Sequence, residues 1–112
     1  MIGLAAGNLA GIECIHAAPA GQRLARLPTI LFYHGFTSSK EVYSYFAVAL
    51  AQAGFRVVMP DAEMHGARYN GDTDARMTHF WEILRQNIDE VPLLEAALRD
   101  NDWVADERFA IA

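Results

Sequence analysis

Two His-Gly pairs are the residues of this chain whose types and positions suggest chemistry. His34-Gly35 opens the polar loop HGFTSS after an apolar run, and His65-Gly66 lies four residues after Asp61, which follows a second apolar run. Glycine has no Cβ, so the backbone can turn sharply at each pair and approach a ligand. Amides freed by such a turn can donate to an oxygen atom that gains negative charge during a reaction. For either pair alone, a simpler interpretation is a strand-to-helix turn whose histidine bonds to the backbone.

Buried strands are predicted before both loops. TILFYH, residues 29–34, and FRVVMPD, residues 55–61, are apolar runs, and the second is expected to stop at Pro60. RFAIA, residues 108–112, is predicted to be a third buried strand. Short runs of this kind are typical of strands that are covered on both faces. A looser alternation in LAGIECIHAA, residues 9–18, predicts an earlier strand near an edge of the sheet.

A helix is predicted between the two loops. Apolar residues recur at intervals of three and four from Val42 to Ala53, and Gly54 is expected to end the helix. Ser38 and Glu41 have the spacing of a capping box, in which each side chain satisfies a free amide of the first turn. This pattern places the start of the helix directly after the first His-Gly loop.

A longer helical pattern follows the second loop. It begins at Thr73 and continues to Leu98, and Pro92 predicts either a kink or a second helix that starts near Asp89. Its apolar stripe is expected to pack in the core and consists of Phe80, Trp81, Leu84 and Ile88. Strands that alternate with helices in this way predict the α/β class, with a mostly parallel sheet and flanking helices.

The carboxyl ends of two consecutive predicted strands carry the His-Gly loops, which is where α/β proteins bind ligands. On the segment ILFYHGFTSS with the helix after it, and on GFRVVMPDAEMHGAR, the chain resembles the α/β-hydrolase superfamily. The resemblance is strongest to YjfP-type bacterial esterases, which are similar to dienelactone hydrolases and to prolyl-oligopeptidase catalytic domains. It implies an incomplete α/β-hydrolase fold, in which residues 1–112 form the N-terminal part of a single α/β-hydrolase domain.

The resemblance also implies roles for residues of the two loops. The backbone amide of Phe36 would be one donor of an oxyanion hole, and the amide of Thr37 is the neighbouring candidate. Other residues would order the loops without taking part in the chemistry: His34, Gly35, Asp61, His65 and Gly66.

No catalytic residue is predicted in this chain. The nucleophile of α/β-hydrolases lies in a Gly-x-Ser-x-Gly turn after a strand that RFAIA resembles, and no such motif is present. Neither the three serines, Ser38, Ser39 and Ser44, nor Cys14 has this glycine context. The resemblance therefore implies a fragment of a serine carboxylesterase, which hydrolyses small carboxylic esters through an acyl-serine intermediate and needs no cofactor. We expect the fragment to be inactive alone.

A different class of function remains open from the sequence. The last predicted strand would have one unpaired edge, and exposed edges pair with other chains. The alternative is therefore a non-catalytic interaction module, or one half of a complementing pair. Self-association through the strand edge is expected in either case.

Composition and charge argue against several other partners. The chain of 112 residues has a formal net charge of −5, and its nine Lys and Arg residues are too scattered for a nucleic-acid surface. It has no apolar run of about 18 residues for a membrane span and no basic region of a secretory signal, so a soluble, cytoplasmic protein is expected. A metal site is not expected, because no zinc-binding spacing is formed by His16, His34, His65, His79, Asp61 and Glu63.

Overall fold

A computed structural model describes residues 2–112 and confirms the α/β class. Within these residues, five strands form one sheet: β1 (Ile2–Leu9), β2 (Ile12–Pro19), β3 (Leu27–Leu31), β4 (Arg56–Pro60) and β5 (Val104–Ile111). Their order across the sheet is β1-β2-β4-β3-β5. β3 pairs in parallel with β4 and β5, whereas β2 is antiparallel to both β1 and β4. The sheet is therefore mixed, and its parallel half carries the two His-Gly loops.

The N-terminal strands form a hairpin, in which β2 corresponds to the strand predicted over residues 9–18 and β1 was not predicted. Ala10 and Gly11 both have positive φ, 51° and 80°, which is the backbone geometry of a two-residue hairpin turn. β1 takes the edge of the sheet, and β2 lies inside it between β1 and β4. The strand predicted near an edge is thus next to the edge strand, but its predicted start at residue 9 was wrong because the turn consists of two small residues that resemble a continuation of the strand.

The two strands before the loops form as predicted, although β3 ends at Leu31 and not at His34, and the third strand was predicted only in part. Every residue of β4 is buried, and β3 has a largely buried pattern. β5 begins at Val104, earlier than predicted, and most of its residues are at least partly exposed, with Ile111 at 56%. The prediction of a buried third strand was wrong, because among the described strands β5 pairs only with β3 and lies at the edge of the sheet.

The first helix, α1 (Ser44–Gln52), covers one face of the sheet, and its start differs from the prediction. The capping box of Ser38 and Glu41 does not form, since the helix begins only at Ser44. The preceding residues form turns instead, because Lys40 donates from both its amide and its ammonium group to Asp61. The tertiary contact with Asp61 therefore overrides the local capping signal.

The second helical segment breaks at His79 and not at Pro92. α2 (Thr73–Thr78) ends where the Nδ1 atom of His79 lies 2.7 Å from the Ala75 carbonyl, and α3 (Phe80–Asp100) then runs through Pro92. A proline leaves the carbonyl four residues earlier without its helical partner. That residue, Ile88, is 70% exposed and Pro92 is exposed as well, so the proline lies where the helix faces solvent and is tolerated there.

α3 covers the opposite face of the sheet with a different stripe from the one predicted. Trp81 and Ile88 are 75% and 70% exposed, so the predicted core stripe was wrong. The residues that α3 buries are Ile83, Glu90, Leu94 and Leu98. Because the charged Glu90 lies on the buried face, the apolar residues alone indicated the wrong side of the helix. The fold thus has three layers, with one hydrophobic cluster on each face of the sheet.

Candidate functional site

The two His-Gly loops lie side by side because they follow adjacent parallel strands. β3 and β4 pair in register, with Ile30 opposite Val57, and their carboxyl ends point to the same edge of the sheet. We call residues 34–43 the first loop and residues 61–72 the second loop. The predicted site residues all lie in these two loops. Hydrogen bonds join the two loops at this edge.

Each loop donates a backbone amide to a histidine of the other loop. The Thr37 amide of the first loop donates to Nε2 of His65, at 2.8 Å. The Ala62 amide of the second loop donates to Nε2 of His34, at 3.0 Å. The two rings are both buried, and their centroids are 5.2 Å apart. We call these two rings and their amide partners the histidine latch.

The remaining ring nitrogens determine the tautomer of both histidines. Nδ1 of His34 lies 2.8 Å from the Gly35 carbonyl, and Nδ1 of His65 lies 2.8 Å from the Glu63 carbonyl. A carbonyl can only accept, so each Nδ1 carries the proton and each Nε2 is free to accept an amide. Burial lowers the pKa of His65, which favours this neutral form.

Asp61, the first residue of the second loop, also binds the first loop. Its carboxylate is fully buried and accepts from the Lys40 amide at 3.1 Å, from the Ala67 amide at 3.0 Å and from Nζ of Lys40 at 2.5 Å. Burial opposes the charge, but these donors hold the pKa of Asp61 below its usual range. Asp61 is therefore an ionised anchor for both loops.

Lys40 supplies the charge that balances Asp61. Its side chain is 4% exposed, and Nζ also lies 3.0 Å from Glu13 and 2.8 Å from Glu41. Burial disfavours the ammonium form, yet the three carboxylates together raise the pKa of Lys40 above its ordinary value. The first loop is thereby tied to the second loop and to β2.

Close contacts surround both predicted glycines, and they are most restrictive at Gly66. A Cβ on Gly35 would lie 2.5 Å from the hydroxyl oxygen of Tyr43. Gly66 has φ of +52°, and a Cβ there would overlap the carboxylate of Asp61. Any larger residue at position 66 would therefore be strained and would also displace the anchor.

The sequence did not reveal the ion pair that fixes the second loop to α3. Arg68 binds Glu90 through two parallel hydrogen bonds of 2.7 Å, and it also reaches Glu63 at 2.6 Å. Burial opposes ionisation of Glu90, but Arg68 and Gln86 hold its pKa below its usual range. The only local signal was the position of Glu90, four residues before the buried Leu94.

Phe36 differs from its neighbour in the use of its amide. Its ring packs against His65 and Phe80, at centroid distances of 5.0 Å and 4.7 Å. The Thr37 amide is occupied by His65, whereas no hydrogen bond donated by the Phe36 amide occurs within the described part of the chain. The side chain of Phe36 is thus fixed, while its N–H remains available to an acceptor.

Other chemistry-bearing residues have different environments. Cys14 is buried in β2, and burial raises the pKa of its thiol to about 12, so the thiol stays protonated. Among residues 2–112, no cluster of three or more His, Cys, Asp or Glu side chains could hold a metal ion. In the same range, no helix combines the length and the hydropathy needed to cross a membrane.

Comparison with known proteins gives consistent matches. The family described as platelet-activating factor acetylhydrolase, isoform II, matches residues 3–89. The chain is 52% identical to esterase YjfP of Escherichia coli over 111 residues, which are 99% of this chain and 45% of that protein. It is 32% identical to putative esterase YitV of Bacillus subtilis over 113 positions, covering 100% of this chain and 44% of that protein. The chain therefore spans less than half the length of these curated relatives.

Solved structures agree with the fold. The crystal structure of TT1662 from Thermus thermophilus matches 99% of this chain and 45% of that protein, with a TM-score of 0.77 and 17% identity. A putative dienelactone hydrolase from Klebsiella pneumoniae matches 99% of this chain and 48% of that protein, with a TM-score of 0.64 and 17% identity. The chain belongs to the platelet-activating factor acetylhydrolase isoform II family, its sequence is similar to that of esterase YjfP, and its fold is that of the α/β-hydrolase class.

Proposed function

We propose that this chain forms the oxyanion-binding part of an esterase that hydrolyses small carboxylic esters. The observation that carries this proposal is the Phe36 amide, whose N–H has no acceptor within the described residues. It lies at the carboxyl edge of the parallel strands, in a loop that other contacts fix. The esterase class follows from the relatives, both of which have esterase in their names.

The Phe36 amide would donate to the oxygen that gains negative charge during ester hydrolysis. When a serine oxygen attacks the ester carbonyl, the carbonyl oxygen becomes an oxyanion, and the alcohol leaves as the tetrahedral intermediate collapses to an acyl-serine. A preorganised amide that points at this oxygen lowers the barrier by about 3 kcal/mol. The Thr37 amide cannot serve in the same way because it already donates to His65.

The histidines of the latch do not act as the base of this reaction. Both ring nitrogens of His34 and of His65 are engaged by backbone groups, so neither can accept a proton from a nucleophile without breaking a contact. The catalytic serine, acid and histidine base would therefore lie in other parts of such an esterase domain. Phe36 and Phe80 would provide an apolar wall beside the reacting carbonyl.

A hybrid protein tests the proposal. In this hybrid esterase, the chain replaces the segment of the E. coli esterase YjfP that it matches. We expect the hybrid to hydrolyse p-nitrophenyl acetate and the 112-residue chain alone to be inactive. A hybrid with a cooperative unfolding transition and a native circular dichroism spectrum, but with no hydrolysis, would contradict the proposal.

The second candidate is self-association, which the position of β5 favours. β5 lies at the edge of the sheet, and the side chain of Ile111 is 56% exposed. An exposed strand edge can pair with the same edge of a second copy. The isolated chain should therefore elute from size-exclusion chromatography at a concentration-dependent size, and Ile111→Lys should shift it toward the monomer. A monomer at all concentrations would exclude this function.

A further inference from the structure

The first loop contains a backbone conformation that needs support. Thr37 has φ of 68°, in the left-handed region that β-branched residues rarely adopt. Such a conformation is unfavourable and persists only where surrounding contacts hold it. The Thr37 side chain is exposed, so the holding contact must come from its backbone.

The hydrogen bond from the Thr37 amide to Nε2 of His65 is the contact that Thr37 itself makes, inside a turn closed by the Ser38 amide and the Gly35 carbonyl. At 2.8 Å it is a short N–H···N hydrogen bond, and the ring that accepts it is fully buried. The ring cannot rotate away without losing its second bond, because Nδ1 donates to the Glu63 carbonyl at 2.8 Å. His65 is thus held at both nitrogens and presents a fixed acceptor to the strained residue.

The same ring also contacts the residue that carries the proposed donor. The side chain of Phe36 packs edge-on against His65, at a centroid distance of 5.0 Å. One imidazole therefore fixes the side chain of residue 36 and the amide of residue 37. The Thr37 hydrogen bond restricts the peptide unit after Phe36, and the ring contact restricts the side chain. The peptide unit that carries the Phe36 N–H is also held at its carbonyl oxygen, which lies 2.8 Å from Nδ1 of His34 and accepts from the Ser38 amide at 3.0 Å. His65 therefore fixes the Phe36 N–H from the side that these two bonds leave free to rotate.

We infer that His65 is a positioning residue for the oxyanion donor, acting through its neutral Nε2 on the Thr37 amide and through its ring on Phe36. This inference rests on the proposed function. His65 does not touch the substrate, and its effect on the reaction comes from the orientation of the Phe36 amide. A misplacement of about 1 Å in such a group can lower the rate roughly a hundredfold.

Three substitutions at one position separate positioning from general support of the fold. Gln can place a carbonyl oxygen near the position of Nε2, whereas Asn is a similar amide that is too short, and Leu has no acceptor. In the hybrid esterase, His65→Asn and His65→Leu should lower kcat roughly a hundredfold with KM changed less than about threefold. His65→Gln should restore kcat to within about fivefold of the parent value.

The exposed His79 provides the matched control, because within residues 2–112 its ring bonds only with the Ala75 carbonyl, in the helix that His79 ends. His79→Leu should leave kcat unchanged. If His65→Asn keeps the parent kcat, or if His65→Gln loses as much as His65→Asn, the inference is overturned while the proposed function stands. If the parent hybrid folds and does not hydrolyse esters, both the proposed function and the inference fail. Because Gln and Asn are both polar, the test stands even if His65→Leu does not fold.

Discussion

Replacing Lys40 by Met should destabilise the fold far more than breaking an equally short ion pair at the surface. The Lys40 Nζ lies 2.5 Å from Asp61, and the two side chains are 4% and 0% exposed. Without the ammonium group, the carboxylate of Asp61 would remain buried with only two amide donors. Removing one partner of a buried pair costs about 3–5 kcal/mol, mostly because the remaining charge is left uncompensated.

The pair between Arg26 and Asp102 is the matched control. Its N–O distance is also 2.5 Å, but its side chains are 60% and 69% exposed. Exposed pairs contribute little because water screens both charges. The free energy of unfolding of Arg26→Met should therefore be indistinguishable from that of the parent.

Urea denaturation of the hybrid esterase, followed by tryptophan fluorescence, measures both changes. Asp61→Asn in the Lys40→Met background should recover part of the lost stability, because the remaining buried group is then neutral. The reasoning would be refuted if Lys40→Met and Arg26→Met lowered the free energy of unfolding equally, or if removing the carboxylate gave no recovery.

Two further outcomes follow from the same structure. Gly66→Ala should destabilise the hybrid more than Gly71→Ala, since both glycines have positive φ but only at position 66 would a Cβ overlap Asp61; urea unfolding of the two variants measures the difference. Burial, with Arg56 nearby, lowers the pKa of His16 to about 4. Below pH 6.5 the unfolded chain takes up a proton there that the folded chain does not, so the free energy of unfolding should fall between pH 6.5 and pH 4. The change in the free energy of unfolding with pH should be smaller in His16→Gln. An unchanged pH dependence would contradict the assignment of this effect to His16.

The parts of the fold that the sequence predicted well are those set by local pattern and complete burial. β4 is buried on both faces, and β3 is buried on one face and partly covered on the other, so their apolar runs mark them directly. Gly54 ends α1 as predicted, because its φ of +100° suits glycine alone. The placement of both His-Gly loops at one edge followed from the parallel pairing of the strands.

Contacts between distant segments could not be predicted in the same way. The amide partner of each latch histidine lies 28 residues away in the chain, so the sequence indicated the place of the two rings but not what they bind. Glu90 occupies a buried helix face because Arg68, 22 residues earlier, neutralises it. The burial of β5 depends on which strands lie beside it, which its own residues do not encode.

The most direct test of the central claim replaces a single backbone group. Incorporating the α-hydroxy analogue of phenylalanine at position 36 of the hybrid esterase changes the amide N–H to an ester oxygen and keeps the side chain. If the Phe36 amide stabilises the oxyanion, kcat for p-nitrophenyl acetate should fall by about 10²–10³-fold with little change in KM. The same replacement at Ser39, in the same loop, should have little effect. An unchanged kcat for the position-36 analogue would contradict the claim that this chain supplies the oxyanion donor.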